Sequence, residues 1–366
     1  MQIVFRTDAS IQIGTGHVMR CLTLADALAQ LGYHCEFICR AHFWHLGELI
    51  QSKGYTLHLL SLTDLSATAV QELNWNAHAP WLGTTWQQDA DLTLALLKQQ
   101  KVDWLVVDHY ALDQHWERRI YSGFDRLMVI DDLADRPHAC DLLLDQTFGR
   151  NEADYRPLVP AHCQLLCGSQ YALLRPEFAA LRPYSLQRRA QPVLRELLIT
   201  MGGVDKDNAT GQVLQALRTC ALSPDCRITV VLGATAPWLD EVRKQAQDMP
   251  WSTRVLVGVS DMAQLMADSD LAIGAAGATS WERCCLGLPT IMLVLAENQR
   301  KIAQELQQAG AAALVTSVPN VVYQLAEMLG GLASSPQKLH DMSKSSAGIV
   351  DGTGTHSVTA LLEAIR

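Results

Sequence analysis

Short apolar runs alternate with amphipathic helical segments along the whole chain, and this alternation limits the possible folds more than any other feature. The runs are apolar at every position, which is typical of parallel strands buried between two layers of helices. Five fall in each half of the sequence: 3–5, 35–39, 104–107, 127–130 and 142–144, then 197–200, 227–232, 255–257, 271–274 and 290–294. The pattern predicts an α/β protein with two doubly wound, Rossmann-type domains.

Length and loop-forming residues divide the chain. Its 366 residues are enough for two substantial cores. A stretch rich in proline and charge at 171–192 predicts a linker. We expect a first domain over 1–180, a second over 190–350 and a C-terminal helix over 351–366. Such domains are expected to face each other across a cleft at the carboxyl ends of their strands, where ligands bind in these sheets.

Composition excludes several classes of function. A net charge of −9 without a long basic run argues against binding of nucleic acid. The ten cysteines lack metal-ligand spacing and are expected to be small buried side chains of a reducing compartment. The sequence begins with a strand and has no apolar stretch of about 20 residues, so we expect no signal peptide and no membrane span. These features predict a cytoplasmic protein, and we expect a monomer.

The most informative motif joins the first predicted strand to the first predicted helix, over residues 6–20. Gly14 and Gly16 allow a tight turn and a close approach of the backbone to a ligand. The first N–H groups of the helix then favour an anion. His17 lies beside this positive pole, which disfavours its protonated form, so we expect a neutral imidazole near pH 7. His17 is our candidate catalytic base, the alternative being an ordinary turn with a surface histidine.

Other polar residues of the first half follow predicted strands. Asp8 is expected either to orient His17 or the attacking water, or to cap the glycine loop. Tyr110 is expected to line a sugar site or to contact phosphate. His109 is a candidate for a direct contact, the alternative for it and for Asp108 being that they satisfy backbone groups. Two arginines complete the set of candidate sugar or phosphate contacts in this half: Arg6 and Arg20.

Two further features of the first half leave alternatives open. Asp131, Asp132 and Asp135 are close enough in sequence to hold a divalent cation, but we favour caps of helices and turns, so that no metal is expected. Residues 73–88 contain three tryptophans. This segment is a lid, a contact surface or a buried apolar hairpin, and we favour the hairpin.

The second half carries two loops suited to phosphate. Gly202 and Gly203 follow a strand and precede a helix, so their N–H groups and the helix pole would fit a diphosphate, the alternative being an ordinary turn. After the strand at 271–274 comes a second loop of small residues that opens a helix, and here Thr279 and Ser280 are candidate hydrogen-bond donors to phosphate. The small-residue loop consists of Gly277, Ala278, Thr279 and Ser280.

Glu282 lies in the first turn of the helix that follows this loop. Its carboxylate could accept hydrogen bonds from both hydroxyl groups of a ribose. The alternative is an acidic residue that complements the helix dipole. A polar pair, Asn298 and Gln299, follows the next strand and is expected at the same sheet edge.

These motifs resemble the nucleotide-binding half of GT-B glycosyltransferases, above all the UDP-N-acetylglucosamine transferase of peptidoglycan lipid assembly. The resemblance implies a GT-B-like fold, ribose at Glu282, diphosphate at 277–280 and uracil at the loop that ends with Val259. The matching segments are 261–263, 268–270, 277–282, 287–289 and 298–299.

The whole chain is more specifically similar to the PseG family. These proteins are UDP-2,4-diacetamido-2,4,6-trideoxy-β-L-altropyranose hydrolases of pseudaminic acid biosynthesis, a route to surface glycans. The similarity extends from residue 1 to about 310 and rests on six blocks: 5–17, 107–110, 130–132, 140–144, 167–178 and 201–205. It implies a UDP-sugar substrate and no cofactor.

The implied reaction is hydrolysis without a metal. His17 would deprotonate water, which attacks the anomeric carbon with inversion and with cleavage of the C–O bond, as in inverting glycoside hydrolysis. Backbone donors at the two phosphate loops would stabilise the departing UDP.

Three other functions fit the same fold. A GT-B glycosyltransferase would replace water by a sugar hydroxyl, and the missing basic patch in the first half argues modestly against a lipid acceptor. A UDP-sugar epimerase would need further carboxylates around the sugar. A noncatalytic nucleotide-sugar sensor would need no imidazole at the glycine loop.

Overall fold

The structure is a computed structural model that describes residues 1–62, 76–234, 236–315 and 321–365. The chain forms two compact units. The first contains Met1–Leu173 together with Gly354–Arg366, and the second contains Leu174–Thr353. Each unit is built on a parallel β-sheet covered by helices.

The first unit contains a seven-stranded sheet with the order β3-β2-β1-β4-β5-β6-β7. All of its strand pairs are parallel. The strands are β1 (Gln2–Thr7), β2 (His34–Arg40), β3 (Thr56–Leu60), β4 (Trp104–Asp108), β5 (Arg126–Ile130), β6 (Leu142–Asp145) and β7 (Gln164–Cys167).

Both faces of this sheet are buried, which explains why its central strands are apolar throughout. Ile3 and Phe5 of β1 belong to the core on one face, and Val4 belongs to the core on the other. Helices cover these faces: α1 (Gly16–Gln30), α2 (Gly47–Ser52), α3 (Trp86–Leu97), α4 (Gln114–Arg119) and α5 (Glu152–Tyr155).

The second unit contains a six-stranded parallel sheet with the order β10-β9-β8-β11-β12-β13. Its strands are β8 (Glu196–Thr200), β9 (Arg227–Leu232), β10 (Ser252–Val257), β11 (Leu271–Ala275), β12 (Thr290–Leu293) and β13 (Ala312–Val315). Its helices are α6 (Pro176–Arg188), α7 (Ala209–Leu217), α8 (Leu239–Gln247), α9 (Met262–Asp268), α10 (Thr279–Cys285), α11 (Arg300–Gln308), α12 (Val321–Ala333) and α13 (Pro336–Ala347).

The expected linker over 171–192 is wrong for most of its length, because α6 occupies it. Pro176 stands in the first turn of α6, where its missing N–H group is no loss. Pro183 lies inside the helix. Arg182 then ties α6 to the second unit, since its guanidinium donates to the carbonyl groups of Cys285, Ala347 and Val350.

The last helix, α14 (Gly354–Ala364), returns to the first unit. Val358 and Leu362 on this helix are fully buried in the core that also contains α1. The hydroxyl of Tyr33 donates to Glu363. The chain therefore completes its first unit only after it has built the second.

The strand orders confirm the predicted α/β fold and locate its functional edges. All ten predicted strands are present. In each sheet the strand order reverses at one point, between β1 and β4 in the first unit and between β8 and β11 in the second. Ligands of such sheets bind outside the carboxyl ends of these strands. No helix in the described ranges is both long enough and apolar enough to cross a membrane.

Candidate functional site

His17 lies in the first turn of α1, directly after the glycine loop that leaves β1. Gly14 takes a φ of +78°, a backbone conformation that favours glycine, and its N–H donates to the carbonyl of Ser10 at 2.8 Å. Thr15 precedes the helix and its side chain makes no capping hydrogen bond. The loop and Gly16, the first helical residue, therefore form the turn that we predicted and present His17 at its end.

Asp108 is the partner that orients His17. Its Oδ1 lies 2.5 Å from Nδ1 of the imidazole. The parallel register of β1 and β4 sets Thr7 opposite Asp108, so the carboxyl end of β4 lies beside the glycine loop. A carboxylate beside Nδ1 accepts a hydrogen bond from the Nδ1–H group and leaves Nε2 as the basic nitrogen. Orientation of His17 was one of the alternatives considered for Asp8, and here Asp108 takes that place.

Asp108 is itself held by Arg20. The Nε and Nη2 groups of Arg20 donate to the two carboxylate oxygens at 2.6 Å and 2.8 Å. Burial alone would raise the pKa of Asp108, but the charges of Arg20 and His17 outweigh it and hold that pKa well below its usual value. Asp108 therefore remains a carboxylate at any pH at which the protein would work.

The network continues from Arg20 to Tyr110 through Asp132. Nη1 of Arg20 donates to Asp132 at 2.6 Å, and the hydroxyl of Tyr110 donates to the same oxygen at 2.6 Å. Burial and the Asp132 carboxylate raise the pKa of Tyr110 well above its usual value. Both side chains are buried and engaged. We expected Arg20 and Tyr110 to contact the ligand directly. In the structure they instead form hydrogen bonds that hold Asp108 and Asp132 in place.

Tyr110 also packs against His17, with ring centroids 4.5 Å apart and nearly perpendicular planes. Two more rings surround Tyr110: His78 at 5.4 Å and Trp81 at 5.8 Å. These rings belong to the tryptophan-rich segment, where we favoured a buried hairpin. Within the described residues that interpretation is wrong, since Ala79–Leu82 form a 3-10 helix that leads to α3, while Trp75 lies outside those residues.

Arg6 and Asp8 form a second, fully buried network beneath the first. Arg6 donates to Asp8 at 2.7 Å and, through two nitrogens, to Asp89 of α3. Burial alone would raise the pKa of Asp8, but Arg6 and the neighbouring histidines hold it well below its usual value. Asp8 also accepts from the backbone N–H of Arg40 at 2.6 Å. Because the guanidinium of Arg6 is buried and bonded to these two carboxylates, its role is structural, and the predicted contact with a ligand is corrected.

His109 belongs to this second network. Its Nδ1 accepts from the N–H of Ala111 at 3.1 Å, and its Nε2 lies 3.3 Å from Oδ2 of Asp8. Burial lowers the pKa of His109. The side chain is enclosed at 1% exposure, so the structure favours the internal role over the substrate contact.

The three aspartates considered for a cation all have protein partners. Asp131 accepts from Tyr155 at 2.7 Å and pairs with Arg136 at 2.9 Å. Asp135 pairs with the same arginine at 2.9 Å. Over the described ranges, no group of three or more histidine, cysteine, aspartate or glutamate residues is arranged to hold a metal ion.

In the second unit, the small-residue loop after β11 is only partly accessible. Gly277 and Thr279 are half-buried and Ala278 is exposed, so their backbone can meet a ligand. Ser280 is fully buried, and its hydroxyl accepts from Nη2 of Arg283 at 3.1 Å. The prediction that Ser280 donates to phosphate is therefore corrected, because helix α10 turns this side chain inward.

Glu282 is half-buried on the outer side of α10. The described residues supply it with no hydrogen bond or ion pair. Burial raises the pKa of Glu282, while the charges of Arg175 and Arg283 oppose the rise. Nη1 of Arg175 donates to the carbonyl of Ser260 at 3.2 Å. Arg175 therefore links the region of Glu282 to the loop after β10.

The neighbouring loops complete this edge of the second unit. Val259, half-buried, follows β10 in a turn where Gly258 has a φ of +61°. The side chain of Gln299 accepts a hydrogen bond from the N–H of Leu295 at 3.0 Å. Its Nε2 lies 3.9 Å from the place that a Cβ atom would occupy if Gly277 carried one. Asn298 beside it is exposed. The loops after β11 and β12 thus adjoin.

The Gly202-Gly203 loop differs from its prediction. Gly202 has a φ of +90°, and the carbonyl of Gly203 accepts from Gly233 at 3.0 Å. Helix α7 begins only at Ala209, and its first N–H groups donate to the side chain of Asp205. Asn208 caps the next N–H group. The helix pole expected to bind a diphosphate here is therefore satisfied by the protein's own carboxylate.

Comparison with known proteins fits this architecture. The glycosyltransferase family 28 C-terminal domain matches residues 197–355. A UDP-2,4-diacetamido-2,4,6-trideoxy-beta-L-altropyranose hydrolase of Campylobacter jejuni is 26% identical over 85% of this chain and 97% of that protein. The spore coat polysaccharide biosynthesis protein SpsG of Bacillus subtilis is 25% identical over 99% of this chain and 98% of its own.

The fold has solved counterparts. The structure of MurG from Acinetobacter baumannii superimposes with a TM-score of 0.70 at 16% identity and covers 99% of both chains. The chain has the GT-B fold, with two parallel-sheet Rossmann-like domains. Together these similarities support an enzyme of the GT-B and glycosyltransferase 28 superfamily.

Sequence reasoning missed two residues of this candidate site. Asp108 was assigned only to backbone groups, although the sequence held a signal, because a carboxylate at the carboxyl end of β4 lies beside the loop after β1 when the two strands are neighbours. Asp132, at the end of the next strand, carries the same signal. The burial of Arg283 was not predicted either. The helical pattern of its segment does not show which side chains face the core.

Proposed function

We propose that this chain hydrolyses UDP-2,4-diacetamido-2,4,6-trideoxy-β-L-altropyranose to UDP and the free sugar, as a step of pseudaminic acid biosynthesis. The observation that carries the proposal is the bond between His17 and Asp108 at the carboxyl ends of β1 and β4. The similarity to the Campylobacter jejuni hydrolase over 97% of that protein supports the choice of substrate.

His17 acts as the general base. Its Nδ1 is bonded to Asp108, so the free electron pair is on Nε2, which takes a proton from water. The oxygen of this water attacks the anomeric carbon as the C–O bond to the diphosphate breaks, and UDP leaves with the bonding electrons. Asp108 stabilises the imidazolium that forms, as a buried carboxylate does in catalytic triads.

The second unit holds the leaving group. The backbone of Gly277, Ala278 and Thr279 binds the diphosphate, and its donors stabilise the charge that develops there. Glu282 accepts from the ribose hydroxyl groups, which is supported by its lack of a protein partner in the described ranges. The loop at Val259 receives the uracil.

A GT-B glycosyltransferase is the second candidate. The match to the family 28 C-terminal domain and the likeness to MurG favour it. In that reaction a sugar hydroxyl replaces water as the nucleophile at the anomeric carbon, and the same imidazole takes its proton. The two functions differ in where the sugar goes, so a single labelling experiment separates them.

The test is turnover of the diacetamido-altrose nucleotide in ¹⁸O-water, with UDP-N-acetylglucosamine as the comparison substrate. Hydrolysis at carbon puts the label in the free sugar and leaves UDP unlabelled. Label in UDP would mean attack at phosphorus and would contradict the role of His17. Absence of turnover with retained binding of UDP would favour the transferase.

A variant of His17 tests the base itself. His17→Gln is expected to bind UDP with unchanged affinity while kcat falls by about 10²–10⁴-fold, the usual contribution of a general base. His109→Gln, which changes a second histidine of the same unit, is the control and should retain most of the activity. Equal losses in both variants would remove the support for His17.

A further inference from the structure

Arg283 lies on the inner side of α10, next to Glu282 in sequence but turned away from it. The residue is 1% exposed. Nη2 of its guanidinium donates to the carbonyl of Ala275 at 2.7 Å and to the hydroxyl of Ser280 at 3.1 Å. The same group thus binds both ends of the loop 276–279, the proposed diphosphate site.

No carboxylate of the described residues forms an ion pair with Arg283, and the neighbouring Glu282 acts on its charge only from beyond ion-pair distance. Among the described residues no acidic side chain lies within 4 Å of the guanidinium, and its Nε and Nη1 have no protein hydrogen-bond partner. Burial lowers the pKa of Arg283 to about 10, so the group still carries its charge at neutral pH. A buried cation without an ion-pair partner is energetically unfavourable.

Strand β11 leaves space for this cation. A Cβ on Gly274 would lie 2.3 Å from Nη1 of Arg283 and 2.9 Å from the carbonyl oxygen of Thr200. Any larger residue at position 274 would displace the guanidinium. The strand, the loop and the helix therefore all accommodate one charged group behind the loop.

We propose that Arg283 is a positioning residue for the diphosphate of a bound nucleotide. It holds the loop 276–279 at both ends and supplies a positive charge from behind the loop backbone. Charges in a buried environment interact over several ångströms because water does not screen them. An anion on the outer side of the loop would offset the buried charge of Arg283. This inference rests on the proposed function and adds to it a residue that does not touch the ligand.

The test compares UDP with uridine, which shares the nucleoside but lacks the diphosphate. Calorimetric titration of each ligand gives the preference for UDP as a ratio of dissociation constants. Arg283→Gln, which removes the charge but keeps a polar side chain, is expected to reduce this preference about tenfold or more with uridine affinity unchanged. Arg283→Lys retains the charge and is expected to keep the preference within about threefold of the natural protein.

The control is Arg189→Gln in the same unit. Arg189 is also buried, but its bonds go to Ser185 and to carbonyl groups around the end of α9. This variant is expected to lower thermal stability and to leave the preference for UDP unchanged. It separates the loss of a buried arginine from the loss of the charge behind the loop.

The outcomes are distinct. An unchanged preference in Arg283→Gln, or equal weakening of uridine and UDP, would overturn the role of Arg283 and leave the proposed function intact. If Arg283→Gln does not fold, Arg283→Lys decides, since a tenfold loss of preference with the charge retained would exclude the role of charge. Absence of UDP binding by the natural protein would overturn the proposed function and this inference with it.

Discussion

His17 has little freedom left once Asp108 has bonded its Nδ1 and Tyr110 has packed against its ring. Asp108 and Tyr110 lie more than 90 residues after His17 in the sequence, at the end of β4 and just beyond it. Arg20 holds Asp108 in turn. The imidazole is therefore oriented before any substrate arrives, which is the condition for efficient proton transfer.

Asp108→Asn tests this orientation. The amide is expected to lower kcat by about 10²–10⁴-fold with little change in KM, because it stabilises neither the required tautomer nor the imidazolium. Steady-state kinetics on the diacetamido-altrose nucleotide measures the loss. Asp135→Asn, the same change at a half-exposed position of this unit, is the control.

The double variant gives the sharper result. If His17 and Asp108 act as one unit, His17→Gln with Asp108→Asn is expected to be no slower than His17→Gln alone. Losses that simply multiply would contradict a shared role. A kcat of Asp108→Asn within about threefold of the natural value would also count against it.

Glu282 predicts a pH dependence of nucleoside binding. Burial raises its pKa and Glu177 adds to the rise, while Arg175 and Arg283 oppose it. As the pH falls through this raised pKa, the carboxylate gains a proton and loses acceptor capacity, so uridine is expected to bind more weakly. Calorimetry from about pH 8 to about pH 5 measures this, and uridine avoids the titration of a phosphate.

The matched variant is Glu282→Gln. It is expected to bind uridine weakly at every pH, with a flat profile, because the amide does not titrate. A natural protein whose uridine affinity stays constant over the same range would show that Glu282 does not bind the ribose as a carboxylate.

At the scale of elements, Asp89 joins four pieces of the first unit. It lies on α3 and accepts from Arg6 of β1, Arg40 of β2 and Trp116 of α4. All four side chains are fully buried. Water cannot replace this buried anion, so its loss would leave Arg40 without its ion pair and Arg6 with Asp8 alone.

Asp89→Asn is therefore expected to reduce the free energy of unfolding by about 3–5 kcal/mol, as when one partner of a buried ion pair is removed. Urea unfolding followed by circular dichroism measures the change. Asp91→Asn, on the same helix, removes an exposed pair with Arg119 and should cost at most about 1 kcal/mol. Similar effects of both variants would contradict the importance of the buried network.

The strands also show which elements the sequence reveals. Three strands escaped prediction, and each is the edge of its sheet: β3, β7 and β13. Of these, β7 and β13 are four-residue strands that are buried along most of their length. β3 contains His58 and is half-exposed over most of its length. Central strands, buried on both faces, are the ones that a continuous apolar run reveals.

At the scale of the whole molecule, α14 completes the first unit from the far end of the chain. Leu362→Ala is expected to destabilise that unit by about 2–5 kcal/mol, the usual effect of a cavity at a fully buried leucine. Hydrogen exchange measured by mass spectrometry should show faster exchange in β1 and unchanged exchange in β8.

The control is the same type of substitution in the second unit. Leu325→Ala changes a fully buried leucine of the second unit, on α12. It is expected to accelerate exchange in β8 and to leave β1 unchanged. If both variants accelerated exchange in both strands equally, the two units would unfold as one, contrary to the division of their contacts.

The sequence by itself determined the α/β class, ten of the strands, the glycine loop and the place of His17 at its end. It could do so because these features depend on neighbours in the chain. An apolar run reflects burial of its own strand, and Gly14 reflects a local backbone angle.

Only the tertiary structure decided which groups meet. Asp108 lies beside His17 where Asp8 was considered, helix α6 takes the place of a linker, and Ser280 and Arg283 are buried while Glu282 is half-buried. Each outcome depends on pairing between distant strands or on which side of a helix faces the core. Partners separated by dozens of residues are selected by the fold as a whole, because burial and charge compensation act through space and not along the chain.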